Sequence, residues 1–335
     1  MKKYIPVLMV CCLAMTVFVS CSTKMTSKPG SSGKTLELII IADNNVYSGT
    51  TKQTLQNIFE APQDGLNQPQ PRFDVVRMLP ADFNGNTMFQ AHRNLLVLEV
   101  DPQGANKVLL NYDQWATPQV LIRIMAVDQH SLDSMLVANE GRLLQEYYNM
   151  EYKRMKKVFS QTPNVKVNNQ IKEKYGFTLT FPEEFALAKT EGDFTWVRKE
   201  AKDFGLHVYI YAAPAVDGKD FEEATILDRL DTLMKQHVPG PADGSYQGTE
   251  RRDFFYTHET TLGDVKGVET RGLWRLYNDF MGGPFVCYTL PSPDGKQTIT
   301  LVGCVYSPSE RSKMVNRRDL LMQVEGICRS ITFGN

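Results

Sequence analysis

VKGVETRGLWRL (residues 265–276), PFVCYTL (284–290) and TITLVGCVY (298–306) are three runs rich in β-branched and aromatic residues, separated by turns of Gly, Pro, Asn and Asp. Such runs read as neighbouring strands of an antiparallel sheet. Pro293-Asp294-Gly295-Lys296 joins the last two, and a two-residue Asp294-Gly295 loop opposes Cys287 to Val302 and Cys304 to Phe285. The two sulfurs then share a face diagonally. Diagonal neighbours lie about 7–8 Å apart, usually too far for a disulfide, so buried free thiols are expected. Cys328, the leftover thiol, reads as a small core hydrophobe.

Upstream, short alternating runs at 177–181, 185–189, 194–199, 206–212 and 254–261 extend this strand-rich texture. Residues 220–237 carry Phe221, Ile226, Leu227, Leu230, Leu233 and Met234 at helical spacing and stop at Pro239-Gly240-Pro241; a last helix spans about 310–331. The second half therefore predicts a largely antiparallel sheet with helices on one face.

The first half has a different pattern. LELIIIA (36–42) is nearly continuous in apolar residues, as in a central strand covered on both faces. Further strands at 73–79, 95–100 and 118–127 alternate with short helices at 50–59, capped by Thr50 or Thr51, and at 86–92. Asp128 reads as the N-cap of one long helix reaching Phe159, with Leu132, Leu136, Leu143 and Tyr147 near one face. Pro163 and Asn164 break it. The fold class is α/β (α+β) with two sandwich-like domains, a mixed sheet with helices over 35–160 and the antiparallel one over 161–335.

Before these lies an address. Lys2 and Lys3, an apolar run from Ile5 to Val19, and Phe18-Val19-Ser20-Cys21 have the order of a bacterial lipoprotein signal, with Cys21 as the acylated residue at the cleavage point. The run is short of the about 20 residues a membrane span needs. Residues 22–34 (STKMTSKPGSSGK) lack carboxylates and, apart from Met25, large aliphatic side chains, so 21–34 is expected to act as a flexible tether. The expected location is the cell envelope, lipid-anchored at the outer membrane and facing the periplasm, since Ser22-Thr23-Lys24 follows the cysteine where acidic residues favour surface display.

The formal net charge of -1 becomes -3 once the two positive charges of Lys2 and Lys3 leave with the signal. This carries neither a nucleic-acid footprint nor a polybasic membrane patch. The five histidines show no HExxH or His-x-His spacing, and no GxSxG, SxxK, Walker loop or GxGxxG stands in a strand-to-helix context. No cofactor, metal site or catalytic residue is expected. Glu183-Glu184 follow Pro182 but would point oppositely on a strand, so a turn explains them better than paired acids.

Gly176-Phe177-Thr178-Leu179-Thr180-Phe181-Pro182 and 269–285 (ETRGLWRLYNDFMGGPF), together with the signal and the length, resemble a family of Bacteroidota lipoproteins carrying a domain of unknown function. The resemblance implies an envelope location over nearly the whole mature chain and brings no catalytic residues. Separately, the FTLTFP opening, the strand meander and a closing helix ending in Arg329-Ser330-Ile331-Thr332-Phe333 are similar to the small α/β sandwich of the photosystem extrinsic and Ran-binding fold group.

The candidate working surface is 271–285. Strand alternation puts Thr270, Gly272, Trp274 and Leu276 on one face and Glu269, Arg271, Leu273 and Arg275 on the other. Arg271 and Arg275 could clamp a carboxylate, although a solvated face with Glu269 as partner explains them as well. Their joint replacement by alanine is then expected to change stability by only about 0.5 kcal/mol. Asp279 reads as turn chemistry, and an exposed Phe280 would mark a contact patch. Tyr147, Tyr148 and Tyr152 could stack on a sugar, but their helical spacing favours packing between domains. The expected function is a non-catalytic binding or scaffolding module with Arg271, Trp274, Arg275, Asp279 and Phe280 as binding residues. Its partners would be the membrane, through the lipid, and an envelope protein or glycan. The alternative is a glycan-directed or cell-wall hydrolase assembled from distant carboxylates.

Overall fold

The computed structural model describes residues 28–216, 218–308 and 316–334. Its first sheet has the order β2-β1-β3-β5-β4, with β1 (Glu37–Ile41), β2 (Asp74–Met78), β3 (Asn94–Val100) and β5 (Val120–Ala126) parallel and β4 (Lys107–Tyr112) antiparallel at one edge. Both faces are covered. Leu38, Ile40, Leu96, Ile122 and Ile124 pack under α1 (Gly49–Phe59), α4 (Gln129–Ala138) and α5 (Glu140–Phe159). Ile39, Ile41, Leu95 and Leu121 turn the other way with Phe83 and Phe89, from the short helices α2 (Pro80–Phe83) and α3 (Thr87–Gln90). The apolar run at 36–42 is thus an interior strand, beside the central β3.

Three local expectations are corrected. Residues 128–159 form two helices, because Asn139 leaves helical geometry at φ -107, ψ 6 and its amide donates to the Met135 carbonyl at 2.8 Å. Asp128 does cap the first, accepting from Ser131 N at 2.7 Å. Ser48 stands at the N-cap of α1, its hydroxyl donating to the Asn45 carbonyl at 2.6 Å rather than accepting from the helix, and Thr50 and Thr51 direct their hydroxyls to Asp133. Strand β4 was not anticipated, although Val108 and Leu110 alternate with outward residues and reach the core.

The second sheet follows the order β10-β12-β13-β14-β9-β8-β7, and β11 also pairs with β12. Its members are β7 (Ala186–Glu191), β8 (Phe194–Glu200), β9 (Gly205–Pro214), β10 (Tyr246–Thr249), β11 (Tyr256–Leu262), β12 (Val265–Tyr277), β13 (Gly282–Pro291) and β14 (Gln297–Tyr306). All its pairings are antiparallel. Helices α6 (Val165–Tyr175) and α8 (Arg317–Arg329) cover one face. A further helix, α7 (Glu223–His237), packs on the second face against Trp274, Leu276, Phe285 and Cys287. The run at 177–181 does not open the meander: β6 (Phe177–Thr178) pairs with β15 (Thr332–Phe333) in a separate ribbon.

The β13–β14 register is the expected one, with Cys287 opposite Val302 and Cys304 opposite Phe285. Cys287, Cys304 and Cys328 are free and buried. The two sheets meet where α5 lies against α8. Met155 of α5 touches both cores, and Met322 of α8 belongs to the first. Arg318, also on α8, reaches Asp74 Oδ2 at 2.9 Å and the Pro71 carbonyl at 2.7 Å, while its backbone N–H donates to Gln70 Oε1 at 2.8 Å.

Candidate functional site

Strand alternation along β12 holds: Trp274 and Leu276 turn toward α7, and Glu269 and Arg271 toward α8. The face carrying the charges is not solvated, because α8 and α5 cover it. Glu269 and Arg271 are only 2% and 7% exposed. Arg271 Nε donates to Glu269 Oε1 at 2.6 Å and Nη1 to Glu325 Oε1 at 2.7 Å. Arg329 Nη2 donates to Glu269 Oε2 at 2.6 Å, and the Tyr152 hydroxyl from α5 donates to Glu325. The Arg329 guanidinium lies over the Tyr152 and Tyr288 rings at 4.8 and 5.1 Å. Two cations and two carboxylates therefore neutralise one another inside the seam.

Burial pushes the Glu269 carboxyl up, yet Arg271 and Arg329 outweigh it and hold the group below the ordinary carboxylate value. Burial also raises the Tyr152 and Tyr288 phenols well above their ordinary value. At neutral pH Glu269, Arg271 and Arg329 thus stay charged and the two phenols stay neutral. These charges floor a cleft of about 1320 Å³ between α5, the loop at Gln63 and Asp64, and strands β11 and β12. Tyr148 and Tyr152 form the α5 wall with rings stacked at 6.5 Å and 21°, next to exposed Asn149 and Gln145. Gly65, at φ +80, lets the loop close down on Arg271, where an added Cβ would stand 3.0 Å from the Arg271 Cβ. Among the described residues no group of three or more His, Cys, Asp and Glu could hold a metal, and no helix is long and apolar enough to cross a membrane.

The other expected site residues do not meet in this cleft. Trp274 is buried and donates to the Val305 carbonyl at 3.1 Å. Arg275 pairs with Glu250 at 3.1 Å and lies over Tyr277. Asp279 accepts from the Phe280 N–H at 2.7 Å, and Phe280 is fully exposed at the hairpin tip. Cys21 lies outside the described residues. Glu184 pairs with Lys199 at 2.9 Å beside the Phe185 turn. Tyr147 is a core residue bonded to the Leu95 carbonyl. Sequence reasoning missed Glu325 and Arg329, whose signal was a charged i,i+4 pair inside the apolar run of the last helix.

One pH response follows from the second sheet. Burial beside Trp196, helped by the Arg198 charge, pushes the His207 imidazole down from 6.5 to about 4. A depressed folded pKa favours the neutral ring, so its stabilisation is complete above 6.5 and is lost as pH falls toward 4. Urea unfolding midpoints should decline across that window, and His207→Gln, which can still accept from Trp196, should flatten the decline. An unchanged slope in the variant would assign the acid response elsewhere.

The molecule is an α/β protein of two sheets with a charged cleft at their seam. Residues 31–160 match the family model described as a domain of unknown function (DUF8532), and residues 164–330 match another described as a domain of unknown function (DUF4837). No curated protein matches the chain. Among solved structures it is similar to the Saccharomyces cerevisiae Ran-binding protein Mog1p, at 11% identity and a TM-score of 0.32 over 47% of this chain and 89% of that one. It is also similar to a mutant of Mog1 (10%, TM-score 0.30, 47% and 90%). A further likeness is to LpqN, involved in cell envelope biogenesis of Mycobacterium tuberculosis (12%, TM-score 0.26, 47% and 82%). Likenesses at these scores carry no argument about activity.

Proposed function

We propose that this protein is a lipid-anchored binding module of the cell envelope, belonging to the Bacteroidota lipoproteins it resembles, and that the cleft at the seam is where it binds. The observation carrying this reading is a cleft of about 1320 Å³ whose floor is built from buried charges already paired with one another. Such a floor offers a rigid polar surface. Hydrolysis of a glycan would need a carboxylic acid held protonated by a raised pKa, whereas Arg271 and Arg329 hold the Glu269 carboxyl below its ordinary value. The Cys21 signal supports the anchor, and Ser22-Thr23-Lys24 after it supports an outer-membrane position facing the periplasm.

Two measurements on one strain test this. Cys21→Ala should move the protein out of the membrane fraction or leave its signal uncleaved. A photo-crosslinking amino acid at Asn149, in the cleft, should trap a discrete envelope component in living cells, and the same group at exposed Val137 on α4 should not. Identical adducts at both positions, or none at Asn149, would remove the cleft from consideration.

A further inference from the structure

Strand β11 forms one wall of the cleft and is an edge: among the described residues it pairs with β12 only. Its register runs from Tyr256 opposite Arg271 to Leu262 opposite Val265 without a shift. Gly263, at φ +57, and Asp264 make the two-residue loop between them. In such a hairpin the residues flanking the loop exchange both backbone hydrogen bonds, and bonded pairs then recur at every second residue. Tyr256, His258, Thr260 and Leu262 therefore direct their backbone groups at β12. The other side of β12 agrees, since Leu276 N–H donates to Met281 O toward β13 while the Leu273 carbonyl accepts from Glu250 N on the β11 side. Odd residues of β12 serve β11, and even residues serve β13.

What remains is a free ladder. Thr257, Glu259 and Thr261 aim their N–H and C=O groups away from β12, and Glu259 and Thr261 border the cleft although their side chains point to the face opposite Glu269. Open edges are ordinarily blunted by bulges or covering elements. The far edge of the same sheet follows that practice, with a register shift in β7 between Leu187 and Lys189. Strand β11 stays regular and faces a cleft larger than the about 300–1,000 Å³ of small-molecule sites.

We infer that the cleft takes an extended peptide, which adds to the second sheet as a strand along β11 through the backbone groups of Thr257, Glu259 and Thr261. This rests on the cleft being the binding site. Peptide backbone repeats its donors and acceptors at the spacing these three residues present, and a glycan has no matching repeat. Every second peptide side chain would project to the face of His258 and Thr260. There it meets Arg329, which donates to Thr260 Oγ1 at 3.3 Å, and the Tyr148 and Tyr152 wall.

The experiment uses the full chain in detergent, an array of random-sequence short peptides to find a binder, and anisotropy to measure it. Glu259→Pro deletes an outward N–H and no β12 bond, a position where edge strands accept proline. It should keep the wild-type melting temperature and weaken the peptide by about tenfold or more. Hydrogen exchange in the wild type should slow at Thr257, Glu259 and Thr261 when peptide is bound, a readout that stands even if the variant misfolds. Asn149→Trp, which fills the cleft, separates the two readings. Peptide or peptidoglycan-glycan binding that Asn149→Trp abolishes, with Glu259→Pro and the exchange rates unaffected, overturns strand addition and keeps the cleft. An array with no binder at millimolar concentration also overturns strand addition, and the Asn149 crosslink then decides the cleft independently.

Discussion

Arg271→Ala is expected to destabilise the protein by about 3–5 kcal/mol, the cost of leaving buried carboxylates without their cation. Two acids lose a partner at once: Glu269 at 2.6 Å and Glu325 at 2.7 Å, both nearly inaccessible to water. Arg329 and the Tyr152 hydroxyl remain but cannot replace the lost guanidinium between them. Arg275→Ala serves as the internal comparison, because Arg275 is about one-third exposed and meets one partner, Glu250, at 3.1 Å. Its effect should stay within about 1 kcal/mol. Guanidinium unfolding of both variants checks the contrast, and near-equal small losses would show that the seam tolerates free carboxylates. The expectation that the two arginines could be removed together at little cost is thereby replaced.

A second large loss is expected in the first sheet, at Glu151 of α5. Its carboxylate is 1% exposed and bridges Arg93 Nη1 and Arg154 Nη1, each at 2.9 Å, while Asn94 Nδ2 donates to it at 2.9 Å. Arg154 also donates to the carbonyls of Pro118 at 3.1 Å and Arg93 at 2.6 Å, tying α5 to the ends of β3 and β5. Burial lowers the Arg154 guanidinium to about 10, so it stays charged at neutral pH and needs its counter-ion. Glu151→Ala leaves two guanidinium groups facing one another and should also cost about 3–5 kcal/mol. Adding Arg154→Met removes one of them and should recover part of the loss. Thermal melts of the single and double variants measure this, and strict additivity would refute the coupling.

These clusters mark where the sequence was legible and where it was not. The β13–β14 register was readable because Asp294-Gly295 and the alternation around Cys287 and Cys304 act over a few residues. Asp128 was readable as a cap for the same reason. Strand β10 and helix α6 escaped notice: YQGT is short, and VKVNNQIKEKY shows only Val167 and Ile171 as a buried stripe. The alternation of Glu269, Arg271, Leu273 and Arg275 was correct but silent on burial, since a period of two looks the same under a helix as under water. What buries Arg271 is Glu325, 54 residues away, with Tyr152 another 173 residues before it. No local pattern spans such distances. The cleft inherits that opacity, because its walls come from segments scattered between Leu36 and Arg329.

The closing position of α8 in the chain also sets a schedule for biosynthesis. In an exported chain that enters the envelope N-terminus first, Tyr152 arrives 173 residues ahead of Glu325. Throughout that interval the first sheet has α5 but lacks Met322 and Arg318, so its seam face is bare. A truncation just before α8 would freeze the protein in that half-made state, and a chaperone of the envelope would find its target on the face that holds the cleft in the finished molecule.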